Sequence, residues 1–221
     1  MSREKKASFN TKVGRVTEKF IDVLIAKGQS ALNKILPWEC RQTDPKKKRR
    51  YDAALLFSIW PLRVIQGKMA KTILKEVEKN LQGSVGIKRY LLDTYWCADY
   101  KDKVREELRC SELNDLHVRN SMAKKGIEAQ WCIFDPIMSI AYGLEFEASG
   151  DKKALTLQTH YLNRALAQIT PDFKCPEMYY LEKGKLMVND NTPLLWTQAN
   201  LLMALKVMRE SLVKGFESTR A

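Results

Sequence analysis

The stretch CPEMYYLEKGKLMVNDNTPLLWTQ, residues 175–198, sets a glutamate (Glu177) and two tyrosines (Tyr179, Tyr180) in a turn-rich segment directly before an apolar helix. Other long segments between helical patterns carry Trp38, Glu39, Arg89, Tyr90, Asp93, Tyr95, Trp96 and Glu128. Aromatic faces, carboxylates and an arginine together suit a sugar ring, which needs stacking surfaces and paired hydrogen bonds. Composition and periodicity by themselves do not single out sugar.

Other chemistries find no pattern to rest on. The five cysteines (Cys40, Cys97, Cys110, Cys132, Cys175) have no C-x-x-C spacing and only His117 and His160 accompany them, so neither a zinc site nor a disulfide framework is expected. No glycine-rich phosphate loop occurs, and no cofactor is expected. His160 falls on an outer helical face and reads as surface. The first residues, MSREKKASFNTKVGRV, contain no apolar leader core and no stretch reaches the length of a membrane span, so the expectation is a soluble protein of a reducing cytoplasm. The net charge of +12 is uneven, since residues 1–50 hold 14 Lys/Arg against 5 Asp/Glu. No recognised binding motif accompanies the run Lys46–Arg50. A solvated loop is therefore the expectation there, and nucleic acid is not the expected partner.

The elements that must position the polar loops alternate in character. Around 13–35, Val13, Val16, Phe20, Val23 and Leu24 share one helical face. Asp52 then caps DAALLFSIWPL, apolar all round up to Pro61. Met69, Ala70, Ile73, Val77 and Leu81 stripe a Lys/Glu-rich helix; Trp131–Phe146 is apolar on nearly every face; 152–169 turns Leu155, Leu162, Leu166 and Ile169 inward. Thr192 as N-cap and Pro193 at the first helical position open the last apolar helix. The order is outer, inner, outer, inner, outer, inner, which predicts an all-α fold of two concentric helix layers. No repeat of fixed period favours an ordinary solenoid, so a barrel-type arrangement is expected. Inner-to-outer links are short and outer-to-inner links (about 36–51, 83–126 and 170–191) are long, so the long loops should emerge together at one end, where function usually resides.

Four blocks carry a resemblance: GIKRYLLDTYWCADY (86–100), GIEAQWCIFDPIMSIAYG (126–143), PEMYYLEKGK (176–185) and PLLWTQANLL (193–202), with ALNKILPWEC and YDAALLFSIWPL upstream. In the same order they resemble family 15 glycoside hydrolases, most closely the bacterial branch related to the large regulatory subunits of phosphorylase kinase. The resemblance covers roughly residues 28–208. It implies the C-terminal half of an (α/α)6 barrel, with 1–35 a basic segment and outer helix, 36–215 the half barrel and 216–221 a tail. The family hydrolyses α-glucosidic bonds with inversion, using an acid and a base whose carboxyls are typically roughly 6.5–9.5 Å apart. By the resemblance Glu177 is the general base, Arg89 would bond a sugar hydroxyl, Asp93 would orient that loop, and Glu128 would line the pocket. Trp38 and Tyr179 are the stacking candidates. No block matching the general acid is present, so a separate N-terminal half, or a second copy, is the expected partner. The substrate class implied is a glycogen-like α-glucan or malto-oligosaccharide, and a non-catalytic carbohydrate-binding or regulatory module is the alternative.

Overall fold

The computed structural model describes residues 9–11, 14–39, 49–109 and 116–217; Cys40, Cys110, the lysines at 46–48 and the tail 218–221 lie outside the described residues. In chain order come a hairpin, β1 (Phe9–Thr11) and β2 (Gly14–Val16), then α1 (Glu18–Ile35). A 3-10 turn (Ala53–Leu55) runs into α2 (Leu56–Ile59), followed by α3 (Gly67–Leu81), β3 (Ile87–Lys88), α4 (Tyr100–Lys103) and α5 (Leu116–Met122). β4 (Gln130–Trp131), α6 (Phe134–Ser149), α7 (Lys152–Ala167), β5 (Met178–Glu182), β6 (Lys185–Val188) and α8 (Leu195–Glu217) complete it.

The molecule is mostly helical, and α6 is its centre. Every residue from Phe134 to Gly143 is buried, because α7, α8 and α2 pack around this helix. Its all-round apolar sequence is what such a position requires. At Gly143 a β-carbon would stand 2.6 Å from both Gln158 Nε2 of α7 and Val207 Cγ1 of α8, so any larger residue there must push these side chains aside. A second small core of Ile140, Leu162, Ala165, Leu201, Ala204 and Met208 closes the same junction. On α3, Ala70, Ile73, Leu74, Val77 and Leu81 face inward, as the stripe predicts, with Met69 packed half-buried beside them.

Several expectations are corrected. The fold is not purely α: β3, β4, β5 and β6 form a four-stranded antiparallel sheet in that order. β3, β5 and β6 come from the long inter-helix segments and β4 from the approach to α6, where short extended runs lie too close to turns to show a strand period. Glu182 pairs with Lys185 across Lys183–Gly184, both at positive φ (49° and 75°), the two-residue turn that twists with its strands. Trp131 is a strand residue facing Met178, not the start of a helix. Val16 belongs to β2, and α1 begins only at Glu18, after Thr17 caps the Phe20 amide. α1 also buries none of its residues, so it does not pack as an outer layer. The turn and helix after Asp52 are capped as expected, but Ala54 is exposed, so that segment is not buried on every side. Leu166 is exposed because Ala154, Gln158, Tyr161, Leu162 and Ala165 set the inward face of α7. Finally, α8 starts at Leu195: Thr192 donates to the Asn189 carbonyl instead of capping a helix, and the Thr192–Pro193 bond is cis. α8 also runs past 215, to Glu217.

Candidate functional site

The sheet draws the long segments together at one end of α6. Lys88 pairs with Gln130, Gln130 with Tyr179, and Tyr179 with Val188, so residues far apart in sequence become neighbours. Gly86 permits the close approach: a β-carbon there would meet the Trp131 carbonyl at 2.8 Å.

Glu177 stands just before β5. Its own carbonyl accepts from the Cys132 amide at 2.8 Å, which ties the residue to the entry of α6. Carboxylate Oε2 accepts from Asn189 Nδ2 at 2.6 Å and from Asn191 Nδ2 at 2.8 Å. Oε1 has no hydrogen-bond partner among the described residues. Two amides thus fix the carboxylate and leave one oxygen uncommitted, an arrangement that can orient a water or a hydroxyl. Asn189 is itself buried, and its Oδ1 meets no donor among the described residues. Beside this group stands Tyr95, whose hydroxyl pKa is raised first by burial and then by the negative charge of Glu177.

Arg89 is bound bidentately to Asp93, Nε to Oδ2 and Nη2 to Oδ1, both at 2.8 Å. Its guanidinium carbon lies 4.9 Å from the Trp131 ring centre, 5.0 Å from Tyr90 and 5.8 Å from Tyr95. Burial opposes its charge, but the bonds to Asp93 overcome that and leave the guanidinium more basic than usual. Asp93 also accepts from the Tyr95 amide at 3.2 Å, so the pair sets the conformation of the Tyr95 loop. Glu128 is buried, with Oε1 on the Leu92 amide at 2.9 Å, Oε2 on the Gly126 amide at 2.7 Å, and Lys88 at 3.6 Å. Its geometry is that of a clamp between two loops.

Tyr179 is half-buried and donates to the Gln168 carbonyl at 3.0 Å. Trp38 is also half-buried, with the Arg50 guanidinium 5.2 Å from its ring. Arg49 lies 3.9 Å from the Tyr90 ring centre. The described end of the basic run therefore does meet aromatic faces, contrary to expectation, through tertiary contacts that adjacent sequence does not show. Both arginines are also ion-paired, Arg49 with Asp52 at 3.0 Å and Arg50 with Glu76 at 2.6 Å.

The fold brings Glu177, Tyr95, Trp131, Arg89 and Asp93 into one neighbourhood, with Glu128 beneath the Arg89 loop and Tyr179 and Trp38 engaged elsewhere. Sequence reasoning missed Asn189 and Asn191, whose signal was their place in NDNTP, fourteen residues or fewer after the glutamate they hold. It also missed the support beneath. Asp135, fully buried, accepts from Arg164 Nε and Gln168 Nε2, each at 2.6 Å. Arg164 and Gln168 in turn hold the carbonyls of Gly83, Val85 and Gly86. Burial pushes the Asp135 carboxyl up to about 6 against the pull of Arg164.

Two clefts of about 540 and 450 Å³ lie at the far end of α6, along Gly143, Val207 and Lys214 and along Arg63, Lys71 and Glu145. Neither is lined by a candidate residue. Among the described residues no helix is long and apolar enough to cross a membrane, and no cluster of His, Cys, Asp and Glu is arranged to hold a metal. No family model matches the chain, and no curated protein matches it.

Proposed function

We propose that this chain is the C-terminal half of a glucoamylase-like carbohydrate-active barrel, acting on glycogen-like or malto-oligosaccharide chains with Glu177 as the base of an inverting hydrolysis. The observation that carries the reading is the Glu177 carboxylate, gripped at one oxygen by Asn189 and Asn191 and open at the other, at the end where the long loops converge. In that role Oε1 takes a proton from water as the water attacks the anomeric carbon, and the two amides keep the carboxylate oriented. Tyr95 and the exposed edge of Arg89 supply a ring face and a donor for sugar hydroxyls. The general acid belongs to a separate N-terminal half, which protonates the leaving oxygen from the opposite side.

A specific observation also favours the non-catalytic reading. Asp93 is consumed by Arg89 and Glu128 by backbone amides, so neither stands ready as an acid opposite Glu177. A binding module would keep the same loops without turnover. A proton NMR time course with maltotriose, run on the chain alone and again with the acid-bearing half added, separates the two. Release of β-glucose supports hydrolysis with inversion, line broadening without release supports a binding module, and neither signal from folded protein rejects sugar recognition by this chain.

A further inference from the structure

Among the described residues, no element covers the apolar side of helix α1. Phe20, Ile21, Leu24, Ile25 and Ile35 are 49, 46, 49, 64 and 42 % exposed. Only Leu32 and the following Leu36 rest, half-buried, against the main core. At the helical period these residues fall on one continuous arc with Gly28 and Ala31, while Asp22, Gln29, Asn33 and Lys19 occupy the opposite arc. Such a face is costly to leave in water, and a glycine in mid-helix adds about 1 kcal/mol of helix instability. A second helix lying across Gly28 offsets both, because nothing approaches within 4 Å of a β-carbon placed there.

The arrangement of this face identifies its occupant. Ile21, Gly28 and Ile35 recur at the heptad spacing, with Leu24 and Ile25 before the glycine and Ala31 and Leu32 after it. The apolar positions are symmetric about Gly28, so an antiparallel copy centred there sets apolar side chains against apolar side chains along the whole face. An isologous interface puts residue i against j and j against i, so Ile21 meets the second Ile35 and Leu24 the second Leu32. The five exposed side chains leave on the order of 500 Å² uncovered per copy, so pairing removes about 1,000 Å², the lower bound for a specific interface. A membrane surface is the competing occupant: Lys19, Lys27 and Lys34 lie off the apolar arc, but Asp22, Gln29 and Asn33 interrupt the basic face that such a surface would favour.

We propose that α1 is a homodimerisation helix, pairing antiparallel with α1 of a second copy about a two-fold axis at Gly28. This stands apart from the sugar reading, since it uses no residue of the Glu177 neighbourhood. The test is sedimentation velocity of the full chain over a wide dilution series, alongside Leu24→Glu. The wild type is expected to be dimeric, with dissociation about a hundred-fold or more easier in the variant. Leu24 is not packed against the core, so circular dichroism of Leu24→Glu should match the wild type, and its thermal midpoint should equal that of the wild type diluted until the dimer has dissociated. Gly28→Cys should then cross-link to a second copy under mild oxidation, and Ile21→Cys should not. A monomer at all concentrations overturns the proposal. So does a dimer lost in Leu202→Glu on α8 but kept in Leu24→Glu, or Leu24-dependent binding of the monomer to phosphatidylcholine–phosphatidylserine vesicles. Cross-linking of Ile21→Cys overturns the antiparallel arrangement. Maltotriose line broadening, read on the same samples, reports on Glu177 separately and should be the same for wild type and Leu24→Glu.

Discussion

Asn189 holds Glu177 side chain to side chain at 2.6 Å, across the hairpin formed by β5 and β6. The bond joins the residue that enters the hairpin to the one that leaves it. The orientation of the carboxylate is therefore a property of the closed hairpin and not of Glu177 alone.

Replacing Glu177 by Gln keeps the shape and removes the base. Turnover of malto-oligosaccharide by the completed enzyme should vanish while maltotriose binding changes by less than about tenfold. Asn189→Ala should leave the base present but loosely held, lowering kcat more than it raises KM. Steady-state kinetics with each variant makes the check, and unchanged turnover in Glu177→Gln removes the residue as base.

Arg89→Leu strands the carboxylate of Asp93, which is 1 % exposed. Breaking a buried pair from one side costs about 3–5 kcal/mol. The double variant Arg89→Leu/Asp93→Leu should recover part of that loss, as urea midpoints of the single and double variants would show. Equal stability of Arg89→Leu and wild type would mean that the pair is solvated.

Asp135 gives a pH dependence whose sign follows from its direction. Burial pushes the folded carboxyl up to about 6 from an ordinary value of 3.8, so the native state binds the proton more tightly than the unfolded chain. Its stabilising contribution is complete below the unfolded value and is lost as pH rises through about 6. A shift of this size corresponds to roughly 3 kcal/mol. Urea unfolding between the two values should show stability falling with pH, and Asp135→Asn should flatten that part of the profile.

Gly143→Ala forces a methyl group into the space held by Gln158 and Val207. Overpacking of this kind costs about 1–3 kcal/mol. The thermal midpoint should fall without any change in sugar binding, since Gly143 lies well along α6 from Glu177. A stabilised variant would mean that α7 and α8 give way freely.

The sequence made the stripe of α3 and the buried run of α6 legible because both obey one period over several turns. Glu177 drew attention through its setting of turn residues and tyrosines. The sheet escaped because β3 and β4 are two residues each, too short for any alternation to register. Thr192–Pro193 has the composition of a helix start, yet the Thr192 hydroxyl is taken by Asn189, three residues back. Asp135 could have been flagged, since a carboxylate inside an all-apolar helix demands a partner. Its partners, Arg164 and Gln168, lie a whole helix away, and only tertiary packing identifies them.

The order of the sheet strands has a temporal meaning. β3 has no partner strand until β4 is made, β4 gains its second only with β5, and Glu177 is oriented only after Asn189 and Asn191 follow β6. A chain emerging from its N-terminus can settle α3 long before then, by local contacts. The candidate site is thus among the last features to exist during synthesis, and a chain interrupted before β6 would keep its helices yet present a glutamate that points nowhere in particular.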